Sequence, residues 1–424
     1  MRVLLVSANT ETINMPALPM GLGLVAAATR KAGHSVTFLD LMGESAPEAA
    51  LARAISRTAP EVIGISIRNV DDQVSDSPRF LLDAARSVVA QCKALSGAPV
   101  VLGGPGYSMF PQSALDFLGA DMGIQGEGEA AFLSLLALLD AGGDVSIIPG
   151  LYRRGQGCKV PPCHGTDLDN WPYPEPDIFD GERFNDPACF LPYQTRRGCP
   201  LKCSYCATSA IEGTRIRKRS VDAVVENLAR WRDAGCSRVF FVDNTFNLPP
   251  GYAKALCDRL ISRDLRLSWR AIFYPGNTPA SLIEAMARAG CTDVSLGFES
   301  GNDAVLRGFN KRFTAEDVRR TATMLRDAGI RSMGFLLLGG PHETRETVLE
   351  SLEFVDALGL AAMKLTVGIR IYPYTPLAAQ AVREGVIRPE DDLLRPRFYI
   401  KAGLENWLRQ TVARWASHRP DWTA

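Results

Sequence analysis

The sequence predicts an α/β protein. A Rossmann-like, doubly wound parallel sheet over residues 1–145 precedes a full or partial parallel β/α barrel over residues 191–377. In both regions, short apolar runs typical of buried strands alternate with helix-like segments, which is the pattern of βαβ units. Residues 146–190 are rich in proline, glycine and aspartate, which indicates a linker. Residues 378–424 predict a short helical tail.

The composition is that of a globular protein. The 424 residues are 46% hydrophobic and 22% charged, which suffices for a core without disulfides. Lys+Arg and Asp+Glu both total 47, and this balance argues against a dedicated nucleic-acid-binding protein. The apolar run in MRVLLVSANT is too short for a signal peptide, and no run reaches the roughly 18 to 20 residues of a membrane span. We therefore expect a cytoplasmic protein that contacts neither nucleic acid nor membrane.

Five strand-like runs and four helix-like segments form the predicted N-terminal domain. The strands are expected at 3–8, 35–40, 61–67, 98–104 and within 121–129, and the helices at 21–33, 46–57, 78–95 and 129–141. Ligands of such sheets bind at the carboxyl ends of the strands. Here those ends include RNVDDQ at 68–73, GGPG at 103–106 and GEGE at 126–129.

About six β/α units form the predicted barrel. After the segment that enters a cysteine-rich loop, strands are expected at 238–243, 267–273, 293–300, 332–340 and 363–372, and helices near 220–234, 251–263, 279–289, 314–328 and 344–358. Chemistry in such barrels takes place at the carboxyl ends of the strands. Candidates for cofactor or substrate contact at these ends are Asp243, Asn244, Glu299, Arg370 and Tyr372.

Three of the ten cysteines lie within the stretch RRGCPLKCSYCATS at 196–209. Cys199, Cys203 and Cys206 have C-x3-C-x2-C spacing. Three thiolates this close together can hold three irons of a [4Fe–4S] cluster and leave the fourth iron open. A structural zinc site usually needs four ligands, and no second pair at zinc spacing is present. The other seven cysteines are interpreted as surface thiols or small core residues.

This loop resembles the CxxxCxxC signature of radical S-adenosylmethionine (SAM) enzymes, and the resemblance continues to about residue 377. Tyr205 falls where that family places an aromatic residue near the adenine. DNTF at 243–246 resembles the second-strand motif that faces the methionine part of SAM. The resemblance therefore implies cofactor contacts from Asp243 and Asn244.

Two later strand ends extend the resemblance. GFESGNDAVLRGFNKRFT at 297–314 resembles the fourth-strand segment of the family, with Glu299 and Ser300 toward the ribose. GFLLLGGPHET at 334–344, which includes Gly339, resembles the fifth-strand motif that packs on the adenine. The order and spacing of these motifs carry the family assignment, because each is weak alone.

The resemblance implies a definite chemistry. The open iron of the cluster chelates the amino and carboxylate groups of SAM, and one electron from the reduced cluster cleaves a C–S bond. The resulting 5′-deoxyadenosyl radical removes hydrogen from an unactivated position of a small-molecule substrate. An external electron donor of the flavodoxin or ferredoxin type is also implied. The cofactors carry the difficult step, while the barrel positions them and excludes water.

The N-terminal region resembles the cobalamin-binding domain that is fused to many radical SAM enzymes. Residues 16–40 and 100–129 carry this resemblance. A D-x-H-x-x-G sequence is absent, as is common in the fused group, so no histidine is placed to ligate cobalt. Because it follows a strand end, Asn69 is a candidate for a cofactor or substrate contact. Gly104 and Gly126 are candidates for a close approach of backbone to the corrinoid macrocycle or its nucleotide tail. A solvated loop at Asn69 and tight turns at the glycines would explain the same residues.

Four further residues are candidates for substrate contact. Glu212 and Arg215 follow the cysteine loop and are expected to reach the substrate. IYPYTPL at 371–377 resembles the end of the sixth strand and contains Tyr372, a third catalytic candidate. Arg370 either neutralises the SAM carboxylate or an anionic substrate, or it forms an ion pair inside the barrel mouth.

The favoured hypothesis is a cobalamin-dependent radical SAM methylase that acts on an unactivated carbon, or phosphorus, of a small natural-product intermediate. The alternative is a cobalamin-independent radical SAM dehydratase, epimerase or cyclase with a degenerate N-terminal domain, as in the diol dehydratases of aminoglycoside biosynthesis. A corrinoid- or cluster-based sensor is a third hypothesis, and the sequence contains no DNA-binding or signalling module that would support it.

Overall fold

The computed structural model describes residues 1–11, 18–179, 189–276 and 278–423. The end of the predicted linker, 180–188, therefore lies outside the described residues, as do residues 16–17 of the cobalamin-like segment. No helix among the described residues is long and apolar enough to span a membrane.

The N-terminal domain is a seven-stranded sheet with helices on both faces. Its strands are β1 (Arg2–Ser7), β2 (Ser35–Asp40), β3 (Val62–Ser66), β4 (Val100–Gly103), β5 (Met122–Ile124), β6 (Leu151–Arg153) and β7 (Gly157–Cys158). Its helices are α1 (Met20–Lys31), α2 (Pro47–Thr58), α3 (Leu82–Leu95), α4 (Pro105–Met109), α5 (Pro111–Leu118) and α6 (Gly128–Asp140). The strand order is β2-β1-β3-β4-β5-β6-β7, and the first five strands are parallel. The predicted doubly wound sheet is confirmed.

Two features of this domain go beyond the prediction. Helices α4 and α5 follow β4, and each begins with a proline, whose fixed φ suits the first position of a helix. β6 and β7 form an antiparallel hairpin inside the predicted linker and extend the sheet. Their strands have only three and two residues, so no apolar run in the sequence indicates them.

The second domain is an open parallel sheet that curves as part of a barrel. Its strands and the short strands around it are β8 (Leu191–Tyr193), β9 (Arg196–Arg197), β10 (Arg217–Lys218), β11 (Arg238–Phe241), β12 (Ser268–Phe273), β13 (Cys291–Glu299), β14 (Arg331–Leu338), β15 (Ala362–Val367), β16 (Ile369–Arg370), β17 (Phe398–Tyr399) and β18 (Trp422–Thr423). Its helices are α7 (Thr208–Glu212), α8 (Val221–Asp233), α9 (Pro250–Ser262), α10 (Ala280–Arg288), α11 (Asp303–Gly308), α12 (Ala315–Asp327), α13 (Arg345–Leu358), α14 (Pro376–Arg383) and α15 (Glu405–Ser417).

The barrel sheet has the order β18-β15-β14-β13-β12-β11-β8. Strands β8 and β11 to β15 supply the six predicted units, and all pair in parallel. The predicted helical tail contains α15, but it also contributes two strands. β17 pairs with β16, and β18 joins the edge of β15, which makes the tail part of the sheet.

The loop after β3 connects the two domains. The side chain of Asp71 forms an ion pair of 2.9 Å with Arg370, and both side chains are at most 3% exposed. Arg370 also donates to the carbonyl oxygens of Ile371 and Leu393. Because these groups are desolvated and fully hydrogen-bonded, the pair fixes the loop against the end of β16.

We expect Asp71→Ala to destabilise the protein by about 3 to 5 kcal/mol, because it leaves a buried guanidinium without its counter-ion. Asp76→Ala is the matched control. Asp76 lies in the same loop and pairs with Arg409, but its side chain is 61% exposed, so the expected loss is below about 1 kcal/mol. The measurement is the midpoint of urea unfolding followed by intrinsic fluorescence. Equal shifts in the two variants would contradict a structural role for the buried pair.

Candidate cofactor site

A cavity of about 380 Å³ lies between the carboxyl ends of the N-terminal sheet and the mouth of the barrel. Both domains line it. The N-terminal domain contributes residues of the β3 and β4 loops, including Arg68, Asn69, Asp71, Gly106 and Phe110. The barrel contributes the cysteine loop and several strand ends, including Tyr205, Cys206, Thr208, Glu299, Thr366, Arg370 and Tyr372. The two sets of strand ends that the sequence analysis treats separately therefore open into one space.

The cysteine loop begins with a sharp turn at Gly198. Its φ is +90°, and a Cβ there would lie 2.2 Å from the carbonyl oxygen of Arg215, so only glycine fits. The amide of Cys199 then donates to the carbonyl oxygen of Gly213 at 3.0 Å. Cys199, Cys203 and Cys206 are partly buried and carry free thiols. Burial raises the pKa of the Cys203 thiol, and the nearby Lys311 ammonium opposes that rise.

Glu212 fixes the cysteine loop by accepting three hydrogen bonds. Its Oε2 accepts from the Gly198 amide at 3.0 Å and from Asn244 Nδ2 at 2.6 Å, while Oε1 accepts from Gln194 Nε2 at 2.8 Å. Both carboxylate oxygens are thus engaged with protein donors. Contact of Glu212 with substrate, or of Asn244 with SAM, stays a prediction, and the contacts present position the cysteine loop.

Asp243 is fully buried below the loop. It accepts from the backbone amides of Thr195 and Arg196 at 2.7 and 3.0 Å and from Thr195 Oγ1 at 2.6 Å. The Arg196 guanidinium lies 3.2 Å away. Burial raises the pKa of Asp243, and the Arg196 charge opposes this. Through these contacts, Asp243 at the end of β11 holds the chain that follows β8. Its predicted contact with SAM remains untested.

Tyr205, Glu299 and Lys311 form a hydrogen-bonded group at the cavity wall. Tyr205 donates to Glu299 Oε1 at 2.9 Å, and Lys311 Nζ lies 3.3 Å from the same oxygen. Burial alone would lower the pKa of Lys311, but the charges of Glu299 and the Cys203 thiol outweigh burial and raise it. Sequence reasoning did not single out Lys311. The sequence feature that could have pointed to Lys311 is its position as the only lysine of the motif segment 297–314.

Ser300 and Gly339 lie outside the cavity wall and make contacts with other parts of the barrel. Ser300 is fully buried, and its hydroxyl lies 3.0 Å from that of Ser351 on α13. Gly339 has a φ of +95°, and its amide donates to Glu343. Neither residue is among those that line the cavity, and their predicted contacts with the SAM ribose and adenine stay predictions.

Glu343 is a buried carboxyl group that the sequence analysis missed. Its Oε2 accepts from the amides of Gly339 and Gly340, the latter at 2.6 Å. Among the described residues, Oε1 has no hydrogen-bond partner. Burial raises the pKa of Glu343 to about 7. Its carboxyl group thus holds the turn after β14, where the family motif ends.

The remaining barrel candidates are divided between cavity and surface. Of the two interpretations of Arg370, the structure shows the ion pair, and its partner Asp71 belongs to the N-terminal domain. Tyr372 is partly buried at the cavity wall, with its ring centroid 5.2 Å from the Arg370 guanidinium. Arg215 is exposed and does not line the cavity.

In the N-terminal domain, Asn69 lines the cavity while Gly104 and Gly126 shape it. A Cβ at Gly104, whose φ is +93°, would lie 2.6 Å from the Ile67 carbonyl oxygen, so this turn requires glycine. Gly126 has a φ of +86° and donates to Ser108 Oγ at 2.9 Å. Arg68 was missed, yet it lines the cavity, and its buried Nη1 has no partner among the described residues.

A second set of buried ion pairs joins the domains behind the cysteine loop. Arg197 forms a 2.6 Å ion pair with Glu129, and Arg217 forms one with Glu127. Glu127 also lies 3.5 Å from Arg197. The two glutamates belong to the GEGE segment at the start of α6, and the two arginines belong to the paired strands β9 and β10. This network fixes the strand that leads into Cys199 against the N-terminal domain.

Fold and site together define a two-domain α/β protein in which a doubly wound sheet and a three-cysteine loop of a second parallel sheet line one cavity. A model of the radical SAM superfamily matches residues 193–355, and a model of the B12-binding domain matches residues 6–136. The chain therefore contains a radical SAM domain preceded by a B12-binding domain. The predicted domain limits of 1–145 and 191–377 stay predictions.

Two relatives span most of the chain. An uncharacterized methyltransferase of Pyrococcus horikoshii is 26% identical and covers 91% of this chain and 84% of its own length. The tryptophan 2-C-methyltransferase of Streptomyces laurentii is 25% identical and covers 87% of this chain and 73% of its own length. The structure of the radical SAM methyltransferase TsrM from Kitasatospora setae, with cobalamin and a [4Fe–4S] cluster bound, has a TM-score of 0.88 and 23% identity. It covers 99% of this chain and 92% of that protein, which establishes the shared fold.

The residues present fit the cofactors that this family uses. Cys199, Cys203 and Cys206 provide three thiolate donors for the [4Fe–4S] cluster that binds SAM. Arg68 lines the cavity beside Asn69, and its buried Nη1 has no hydrogen-bond partner among the described residues. This Nη1 is a suitable donor for a polar group of cobalamin. Burial lowers the pKa of Arg68, as expected for a cation held away from water. The cofactors are accordingly SAM, the iron–sulfur cluster and cobalamin.

The position of Glu343 gives a testable pH dependence. Because its folded pKa of about 7 exceeds the ordinary value of 4.5, the native state binds more protons between these values than the unfolded chain does. Stability should therefore fall as pH rises from about 4.5 to 7, by at most about 3 kcal/mol. Glu343→Gln keeps an acceptor for the two glycine amides and should remove this decline.

The measurement is the free energy of unfolding of wild type and Glu343→Gln between pH 5 and 8. Glu346→Gln, an exposed change in the first turn of the following helix α13, serves as the control and should follow the wild-type curve. Parallel curves for wild type and Glu343→Gln would show that Glu343 does not titrate in this range.

Proposed function

We propose that this protein is a cobalamin-dependent radical SAM methylase that methylates an unactivated carbon, or phosphorus, of a small molecule. One observation carries the proposal: the loops of the B12-binding domain and the cysteine loop open into the same cavity. A methyl group and a radical acceptor must meet within bonding distance. A shared, partly enclosed space between the two domains provides that meeting point.

The residues of the chain hold and separate the reactants in this proposal. When bound, cobalamin supplies a methyl group, and SAM on the reduced cluster supplies the radical that removes hydrogen from the substrate. Tyr205 and Glu299 line the cavity beside Cys206, and Lys311 fixes Glu299 by an ion pair. Asn69 and Arg68 line the opposite side. The two buried ion-pair sets hold these walls together and limit the entry of water.

The relatives support the methylase over other radical chemistry. The tryptophan 2-C-methyltransferase acts on a small molecule at carbon, and the other relative also carries a methyltransferase name. The substrate here is proposed to be a small natural-product intermediate. We further propose a cytoplasmic location, because clusters of this type need a reducing compartment, and an external flavodoxin- or ferredoxin-type donor.

The deciding experiment is anaerobic purification from cells supplied with cobalamin, followed by the corrinoid content per chain. Near-stoichiometric corrinoid, together with S-adenosylhomocysteine and 5′-deoxyadenosine formed from SAM under reducing conditions, is the expected result. A preparation that cleaves SAM through an intact cluster but contains no corrinoid would replace the methylase with the dehydratase, epimerase or cyclase alternative.

Cys203→Ala should abolish SAM cleavage and lower the bound iron, because one of the three thiolate donors is lost. Cys163→Ala is the matched control, since Cys163 is an exposed thiol of the linker. The measurements are iron and sulfide content and 5′-deoxyadenosine formed per chain. Persistent cleavage in Cys203→Ala would disprove the assignment of the cluster to this loop.

A further inference from the structure

Four exposed cations lie in the cysteine loop or in segments that contact it: Lys202, Arg215, Arg307 and Arg312. We call this set the cationic collar. Among the described residues, none of the four side chains makes a hydrogen bond or an ion pair. Many exposed arginines elsewhere are paired, for example Arg259 with Asp222 at 2.8 Å. The collar is therefore a local excess of positive charge on a chain whose formal net charge is zero.

Backbone contacts attach the collar to the cluster-binding loop. Lys202 lies between two of the cysteines, and its carbonyl oxygen accepts from Asn310 Nδ2 at 2.7 Å. The amide of Ser204 donates to the carbonyl oxygen of Phe309 at 3.1 Å, which places the 307–312 segment beside the loop. Arg215 packs its backbone against the Gly198 turn.

Among the described residues, no carboxylate forms an ion pair with a collar side chain, and the nearest acidic groups make other contacts. Asp303 accepts from the amide of Ala315 at 2.8 Å, and Glu316 pairs with Arg319 at 3.3 Å. Glu212 accepts hydrogen bonds from the Gly198 amide and Asn244 Nδ2. The four collar cations are thus exposed and unpaired within the described part of the chain, where acidic groups of a partner protein can pair with them.

The four collar residues are not among those that line the cavity. Tyr205, Cys206 and Thr208 face the cavity, whereas Lys202 is exposed to solvent. A cavity of about 380 Å³ has no room for a protein, so a protein reductant must approach the loop at its solvent-exposed surface, where Lys202 lies.

We propose that the cationic collar is the docking surface for an acidic one-electron carrier protein that reduces the cluster. The inference rests on the proposed function, which requires a reduced cluster. In the transfer, the carrier's flavin or iron–sulfur centre loses one electron and the cluster gains it, and no covalent bond forms or breaks. Opposite surface charges accelerate such encounters, and salt screens them.

The test uses the cluster-loaded protein and the double variant Lys202→Glu/Arg307→Glu. Lys31→Glu/Arg288→Glu is the matched control, because Lys31 and Arg288 are exposed cations in the last turns of α1 and α10. Two readouts are taken: equilibrium binding of an oxidised acidic flavodoxin, and the rate at which reduced flavodoxin bleaches the cluster absorbance. An acidic [2Fe–2S] ferredoxin is run in parallel to distinguish the two kinds of carrier.

At low salt, the collar variant should bind the carrier more weakly and accept electrons at least about tenfold more slowly, while the control variant stays at the wild-type rate. Added salt should weaken wild-type binding. Reduced methyl viologen, a small cation, should reduce the collar variant at least as fast as wild type, since the electrostatic effect changes sign.

Three results would overturn the proposal: carrier rates unchanged by charge reversal for both carriers, carrier binding that is independent of salt, or slowing with carrier and viologen alike. The last would mean that the substitutions damage the cluster rather than the docking step. Neither readout involves methyl transfer, so the docking proposal is tested independently of the methylase assignment.

Discussion

The buried ion pair between Arg197 and Glu129 connects the two cofactor-binding parts of the molecule. Arg197 lies two residues before Cys199, and Glu129 lies in the first turn of α6, the helix that follows the last parallel strand of the B12-binding sheet. Burying such charges is costly unless each is matched, so the pair holds only when both domains are correctly placed. The geometry of the cysteine loop and the position of the corrinoid side of the cavity are therefore coupled.

Three acidic side chains, of a type that often acts in catalysis, serve mainly to fix the backbone of this protein by accepting hydrogen bonds. Glu212, Asp243 and Glu343 each accept from two or three protein donors at strand ends. Radical chemistry supplied by cofactors needs little acid–base assistance but needs exact placement and exclusion of water. Carboxylates that fix turns near the cavity meet that need, and Tyr205 with Glu299 forms a polar part of the wall beside Cys206.

The sequence predicts the regular elements well because their signal is local. All five predicted N-terminal strands and the five barrel strands from residue 238 onward are present, since apolar runs and helical periodicity report burial directly. The cysteine spacing likewise indicates the cluster before any fold is known. Contacts between distant segments carry no such signal. Asp71 pairs with Arg370 across 299 positions, so the pair could not be assigned from neighbours in the chain. Glu343 binds amides only three and four residues away, but its burial depends on tertiary packing, which the local sequence does not report.

The pairing of β18 with β15 has a consequence for the order of synthesis. The ribosome completes β15 more than fifty residues before it reaches Trp422, so the outer edge of β15 emerges without its strand partner. An unpaired edge offers free amides and carbonyls to other chains. During translation, and in shortened forms of the protein, this edge is where intermolecular association should begin.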